Sequence, residues 1–201
     1  RDTHMMFGGA SSGRLDGEGD GHLWVCGTGY LTGRATGSFL DIPSTEKKLR
    51  LRWGEFLRFE KGLIVEVQIM LDFVDWFDQI GLSVLPTQRG THHVYPPPTG
   101  CHGVLLEAQD PSKSNETLKL GRDFLFGALN GYDKQDLGSM GMPNYFHKNV
   151  KWYGPGGIGA CLSLKEFQEY HQKPWLQAFP DRKVQNLDAL FAEGNFLAAK
   201  G

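Results

Sequence analysis

Along residues 1–85 apolar and polar positions alternate, the two-residue period of strands with one buried face. Residues 22–31 and 49–59 read as strands, and 63–73 carries the clearest alternation. FEKGL (59–63) predicts a hairpin turn with Gly62 at the position that needs positive φ. DWFDQIG (75–81) predicts a short helix stopped by Gly81, and 33–45 reads as a loop. From residue 112 the period lengthens. Leu118, Leu125 and Leu129 with Phe124 and Phe126 predict a helix near 116–130, and KQDLGSMGMPNYF (134–146) a second, broken one. NVKWY (149–153) reads as a strand. The helix over 163–179 is the best marked. Ser163 and Glu166 form a capping box, Leu164, Phe167, His171, Pro174 and Ala178 follow at helical spacing, and Pro174 should bend or weaken the last turn. The segment 183–201 predicts a strand pair that stops short.

Between these regions lies a long connection, in which Pro96, Pro97 and Pro98 favour an extended path. The chain therefore divides into a strand-rich half (1–85), a linker (86–111) and a helix-then-strand half (112–201). The first half lacks helices to cover its sheet and the second lacks most of a sheet, so each needs the other kind of layer. Two assemblies supply it: the halves pack on each other in one chain, as in a circular permutation, or they exchange between two chains as a swapped homodimer. A further pattern links the ends. Trp24-Val25-Cys26-Gly27-Thr28-Gly29 and Phe196-Leu197-Ala198-Ala199-Lys200-Gly201 both read aromatic, aliphatic, small, small, variable, glycine.

Composition narrows the function classes. The 201 residues are 40% hydrophobic and 22% charged, ordinary for a globular domain, and thirteen Phe, five Trp and six Tyr can fill a sizeable core. A net charge of −2 gives no pull toward nucleic acid or anionic membrane. No apolar run reaches the ~20 residues of a membrane span. Cys26, Cys101 and Cys161 lack C-x-x-C spacing, which predicts a reducing, cytoplasmic setting and no zinc motif. The start lacks the apolar stretch of a signal peptide and an initiator Met, so the natural start is expected upstream. GPGGIG (154–159) matches a dinucleotide fingerprint, but its helix begins only at Ser163, too late to meet a pyrophosphate, so a flexible loop at a pocket mouth is the better reading. THH (91–93) and CHG (101–103) lie outside any Cys/His framework and read as surface histidines.

Three titratable groups stand out. Asp72 follows the alternating strand. Leu63, Val65, Val67, Ile69, Leu71 and Phe73 share one apolar face, and Asp72 falls on the other with Ile64, Glu66, Gln68 and Met70. If that mixed face lines a pocket, something else must cover the apolar face, which predicts dimerisation. The bland role for Asp72 is a helix cap, although Asp75 is the more natural one. Glu55 interrupts the apolar series Leu49, Leu51, Trp53, Leu57 and Phe59. It is either functional or paired with an arginine such as Arg52 or Arg58. A three-residue turn at 60–62 sets Glu55 on the face of Val67; a two-residue turn sets it beside Gln68 and Asp72. His171 lies on the apolar stripe of the 163–179 helix, as a substrate donor or a satisfied core histidine.

WYGPGGIGACLSLKEFQEYHQKPWLQAFPD (152–181), followed by RWGEFLRFEKGLIVEVQIMLDFVDWFDQIG (52–81), resembles SnoaL-like polyketide cyclases of the nuclear-transport-factor-two-like superfamily. Here the family order is cut: 112–201 is similar to the front of one unit and 1–85 to the back, as in the middle of a tandem of two units. The resemblance implies an α+β fold, a curved antiparallel sheet and helices around a conical pocket. It implies cofactor-free acid–base chemistry on a small hydrophobic carbonyl compound, of cyclase or isomerase type, with no metal. Asp72 stands where the family's proton-transfer aspartate does, and the face bearing His171 turns toward the pocket. Glu55 is the third candidate for catalysis. Trp53, Gln68, Met70, Trp152, Tyr153, Phe167, Tyr170 and Trp175 become the expected pocket wall. A hydrolase or dehydratase in the same pocket, or a ligand-binding or scaffold module, are the rival readings.

Overall fold

A computed structural model describes residues 1–201, the side chain of Cys101 excepted. It is a mixed α+β structure with antiparallel sheets. Strands β1 (Asp2–Ala10), β2 (Leu23–Arg34), β3 (Lys48–Glu60) and β4 (Leu63–Leu71) form a four-stranded antiparallel meander in that order. Helix α1 (Phe73–Gln79) continues beside β3 where β4 has ended; the Gln79 side chain donates to the Arg50 carbonyl at 2.8 Å and accepts from its N–H at 2.9 Å. In this way α1 satisfies part of the edge of β3 that β4 leaves open.

The β3–β4 turn decides which side chains share a face. Lys61 and Gly62 both have positive φ (49° and 77°), giving the two-residue turn whose twist suits a hairpin. Two residues alone would set Glu55 opposite Gln68. A register shift follows at once: Arg58 pairs with Glu66 while Phe59 pairs with Ile64, leaving Val65 extra. This bulge moves Glu55 opposite Ile69 and Phe56 opposite Gln68. Because one residue of slip exchanges the faces, Glu55 lies across the sheet from Gln68 and Met70.

One face of the meander carries Phe7, Trp24, Cys26 and Phe56, and it is covered by the last two strands, β7 (Ala189–Glu193) and β8 (Phe196–Lys200). Phe191, Ala189 and Ala198 bury themselves against those four, with Leu105 and Phe196 at the margin. The other face carries Trp53, 3% exposed, but also Val67 and Ile69, which are 53% and 56% exposed.

The helices keep a separate core. Helix α2 (Pro111–Arg122) starts on the Asp110 cap and runs through a π turn (Asp123–Ala128) into α3 (Leu129–Gly131). Two 3-10 turns (Leu137–Met140 and Met142–Asn144) stand where the broken helix is expected. A short ribbon pairs β5 (Trp152–Tyr153) with β6 (Ala160–Cys161). Ser163 then caps α4 (Leu164–Phe167), which passes through a π turn (Gln168–Gln172) into α5 (Lys173–Ala178). That π turn stands just ahead of Pro174, whose missing N–H breaks the regular ladder there. Met140, Met142, Leu164 and Leu176 fill the core between these pieces. The expected helical cover over the sheet is therefore replaced: helices pack chiefly on helices, α2 packs on β7 and β8, and that hairpin meets the sheet.

The segment 86–111 is tied to both halves rather than spanning free space between them. Thr91 bridges Ala160, and Val104 bridges Met6. Among the described residues no helix is long and apolar enough to cross a membrane.

Candidate functional site

A cavity of about 560 Å³ opens between the covered sheet face and the C-terminal hairpin. Strand alternation turns Cys26, Phe56, Gln68 and Met70 toward it from the sheet; Phe196, Ala198 and Lys200 close it from β8. The lining is mainly apolar. Lys200 supplies a charge, neutralised by its ion pair with Asp188, and its ammonium lies 5.2 Å from the Trp24 ring centroid. Burial pushes the Cys26 thiol up to about 12, so at neutral pH it is a neutral, inert wall rather than a nucleophile.

A smaller niche of about 380 Å³ adjoins it on the same face, with Met5 and Thr28 common to both. Here β2 and β3 bring Tyr30 and Arg52 opposite one another. Arg52 donates to the carbonyls of Tyr153 and Gly154, at 3.0 and 2.8 Å, and its guanidinium lies 4.6 Å from the centre of the Tyr95 ring. Tyr95 stacks on Tyr153 with centroids 4.5 Å apart and donates its hydroxyl to the Gly154 carbonyl at 2.8 Å. The Tyr30 hydroxyl accepts the Tyr95 N–H at 3.0 Å. Burial raises both phenols, Tyr95 to about 12, so both stay protonated at neutral pH. His4, 8% exposed, packs edge-on to Tyr30, its Nε2 3.1 Å from an Asp2 carboxylate oxygen.

A third cavity, about 200 Å³, lies among the helices. His171 lines it with Phe167 and Trp175, and its ring stacks on Trp152 at 4.2 Å. Burial, and then the nearby Arg182 charge, hold its pKa below the ordinary histidine value. His171 is thus a neutral aromatic partner in a separate compartment.

The expected site residues accordingly disperse. Glu55, Gln68 and Met70 are among the residues around the large cavity, Tyr153 is at the niche, and Phe167, His171 and Trp175 are at the helical cavity. Trp152 backs His171, and Tyr170 is exposed at 38%. Trp53 lies in the opposite sheet face beneath the Arg1 guanidinium, 3.9 Å from its ring centre. The Glu55 carboxylate pairs with that same Arg1, so its ion pair is with neither Arg52 nor Arg58.

Asp72 lines none of the three cavities. Its carboxylate caps α1, accepting the Asp75 N–H at 3.2 Å, and grips the Gly154–Gly159 loop by accepting the Gly156 N–H at 3.1 and 2.9 Å. A Cβ at residue 156 would lie 2.4 Å from the Asp75 nitrogen, so only glycine allows this approach. The cap is thus Asp72 rather than Asp75, which instead holds Gln79 and His92 at 2.8 Å each. The glycine-rich loop is clamped to the end of the sheet. Among the described residues no three His, Cys, Asp or Glu side chains gather as metal ligands would.

His4, Tyr30, Arg52, Tyr95 and Lys151 escaped the sequence reading. The alternation of Trp24, Cys26, Thr28 and Tyr30 along β2 is the one signal that could have marked Tyr30. Tyr95 and Lys151 come from irregular segments, whose positions only the fold brings together. Comparison with protein-family models, with curated proteins and with solved structures gave no match.

Proposed function

We propose that this chain binds a small hydrophobic carbonyl compound in the 560 Å³ cavity between the sheet and its C-terminal hairpin. One observation carries the reading. An apolar hollow of ligand size is lined by side chains from both halves of the chain, beside a niche of aromatic and cationic groups. The SnoaL-like resemblance, with its conical sheet-and-helix pocket, supports the same class of ligand. The test is titration of 2-acetonaphthone, a flat aromatic ketone, followed by amide shifts. Shifts centred on Phe56, Gln68 and Ala198, weakened about tenfold or more by Gly54→Leu, are expected, because Gly54 lines the cavity and a side chain there would enter the open space the ligand fills. Shifts confined to the helical cavity would end the proposal.

Cyclase or isomerase chemistry is the second reading, favoured by His4 and Tyr30 meeting in the niche. His4 would take an acidic C–H proton, and the Tyr30 hydroxyl with the Arg52 charge would hold the enolate oxygen. Asp72, with its carboxylate held by two backbone N–H groups, would position the loop that Arg52 binds. Such chemistry requires no cofactor.

We also propose that the exposed face carrying Val65, Val67, Ile69 and Leu71 pairs with a second copy of the chain. A contiguous apolar strand face of this kind is usually an interface. Light scattering after size exclusion should give twice the 22.4 kDa chain mass, and Ile69→Lys should return it to one chain mass. A monomer at high micromolar concentration would refute the pairing.

A further inference from the structure

The niche beside the large cavity collects positive charge without a carboxylate in its wall. Arg52 and Lys151 both line it, and both bond to backbone carbonyls: Arg52 to residues 153 and 154, and Lys151 to Leu162 at 2.8 Å. Asp72 and Asp75 are close enough to act on Tyr95, yet Asp72 is committed to backbone N–H groups and Asp75 to Gln79 and His92. The Asp2 carboxylate at the rim is held by His4. The Tyr30 hydroxyl, meanwhile, accepts the Tyr95 N–H and keeps its own proton to offer. Two cations and a phenol donor therefore converge on a hollow whose other walls include apolar Met5, Tyr95 and the proline run 96–98. A buried phenol and a half-buried guanidinium beside the Lys151 charge favour an oxyanion on an otherwise apolar molecule.

We propose that the niche is the head-group half of a two-part site: it takes the carboxylate of an elongated monoanion whose apolar body extends past Met5 and Thr28 into the large cavity. This rests on the large cavity being the ligand site, and it adds the class of ligand. The flat faces of Tyr95 and the proline run suit a planar carboxylate better than a tetrahedral phosphate.

The experiment compares 4-(2-naphthyl)butanoate, its methyl ester, and the phosphate monoester of the matching alcohol by calorimetry on the intact chain. The carboxylate should bind about tenfold more tightly than the ester, since one hydrogen bond to a charged group is worth that factor. Tyr30→Phe and Lys151→Met should each lower carboxylate affinity more than ester affinity, removing most of that difference. Lys151 is exposed, so its variant tests the charge without disturbing the core. Equal affinity of acid and ester, or a preference that survives both substitutions, would overturn the head-group assignment while leaving the cavity proposal standing. Tighter binding of the phosphate monoester would overturn the carboxylate assignment. Failure of all three to bind would remove the cavity reading and this inference together.

Discussion

Phe191→Ala is expected to destabilise the protein by about 3–5 kcal/mol, the usual range for emptying a fully buried phenylalanine. Phe191 is 0% exposed and sits where the C-terminal hairpin meets the sheet. Its ring meets Phe7 at 5.7 Å and Phe56 at 6.4 Å, both edge-on. Gly9 leaves it space, since a Cβ there would come within 3.1 Å of the Phe191 Cβ. Phe191 therefore joins parts of the chain about 180 residues apart, much as the Ser11 hydroxyl accepting the Leu190 N–H does. The loss should appear in urea unfolding followed by tryptophan fluorescence, because Trp24 shares this core. For a chain of this size the melting temperature should fall by roughly 6 to 20 °C. A loss below about 1 kcal/mol would mean that the hairpin does not close on the sheet, and the large cavity would lose one wall.

Asp72→Ala should cost about 2–4 kcal/mol, because it removes a helix cap and leaves the Gly156 N–H without its acceptor. Asp72→Asn keeps an amide oxygen for the cap and should cost about 1 kcal/mol, with ligand affinity in the large cavity changed less than about twofold. This contrast distinguishes the two roles of the aspartate. Deuterium exchange at the α carbon of a bound ketone, abolished by Asp72→Asn in a folded protein but intact in His4→Gln, would restore Asp72 as the proton-transfer group. Exchange lost in His4→Gln and kept in Asp72→Asn would assign the chemistry to the niche.

Asp72 also illustrates why the site was less legible than the fold. Alternation sets it on the face of Gln68 and Met70, and the resemblance marks it as a base. What neither contains is a glycine loop arriving from 84 residues away to take both carboxylate oxygens. Glu55 was left open for a different reason. Its face depends on one bulged residue, and a two-period pattern does not record where an extra residue is inserted. His171 was read well locally, on the apolar stripe of its helix, but that stripe packs into the helices' own core.

The sequence by itself determined the local elements: the β3–β4 hairpin with its Gly62 turn, the Ser163 cap, the strand pair 183–201, and the α+β composition. Those follow from periodicity and turn chemistry acting over a few residues. The tertiary structure decided which layer covers which. The matching ends of the chain foreshadow the outcome. Cys26 pairs with Phe7 as Ala198 pairs with Phe191, and the two hairpins pack so that these phenylalanines touch. Hydrophobic burial is non-directional, so the pattern specifies that a face must be covered and leaves the choice of cover to shape complementarity among distant segments.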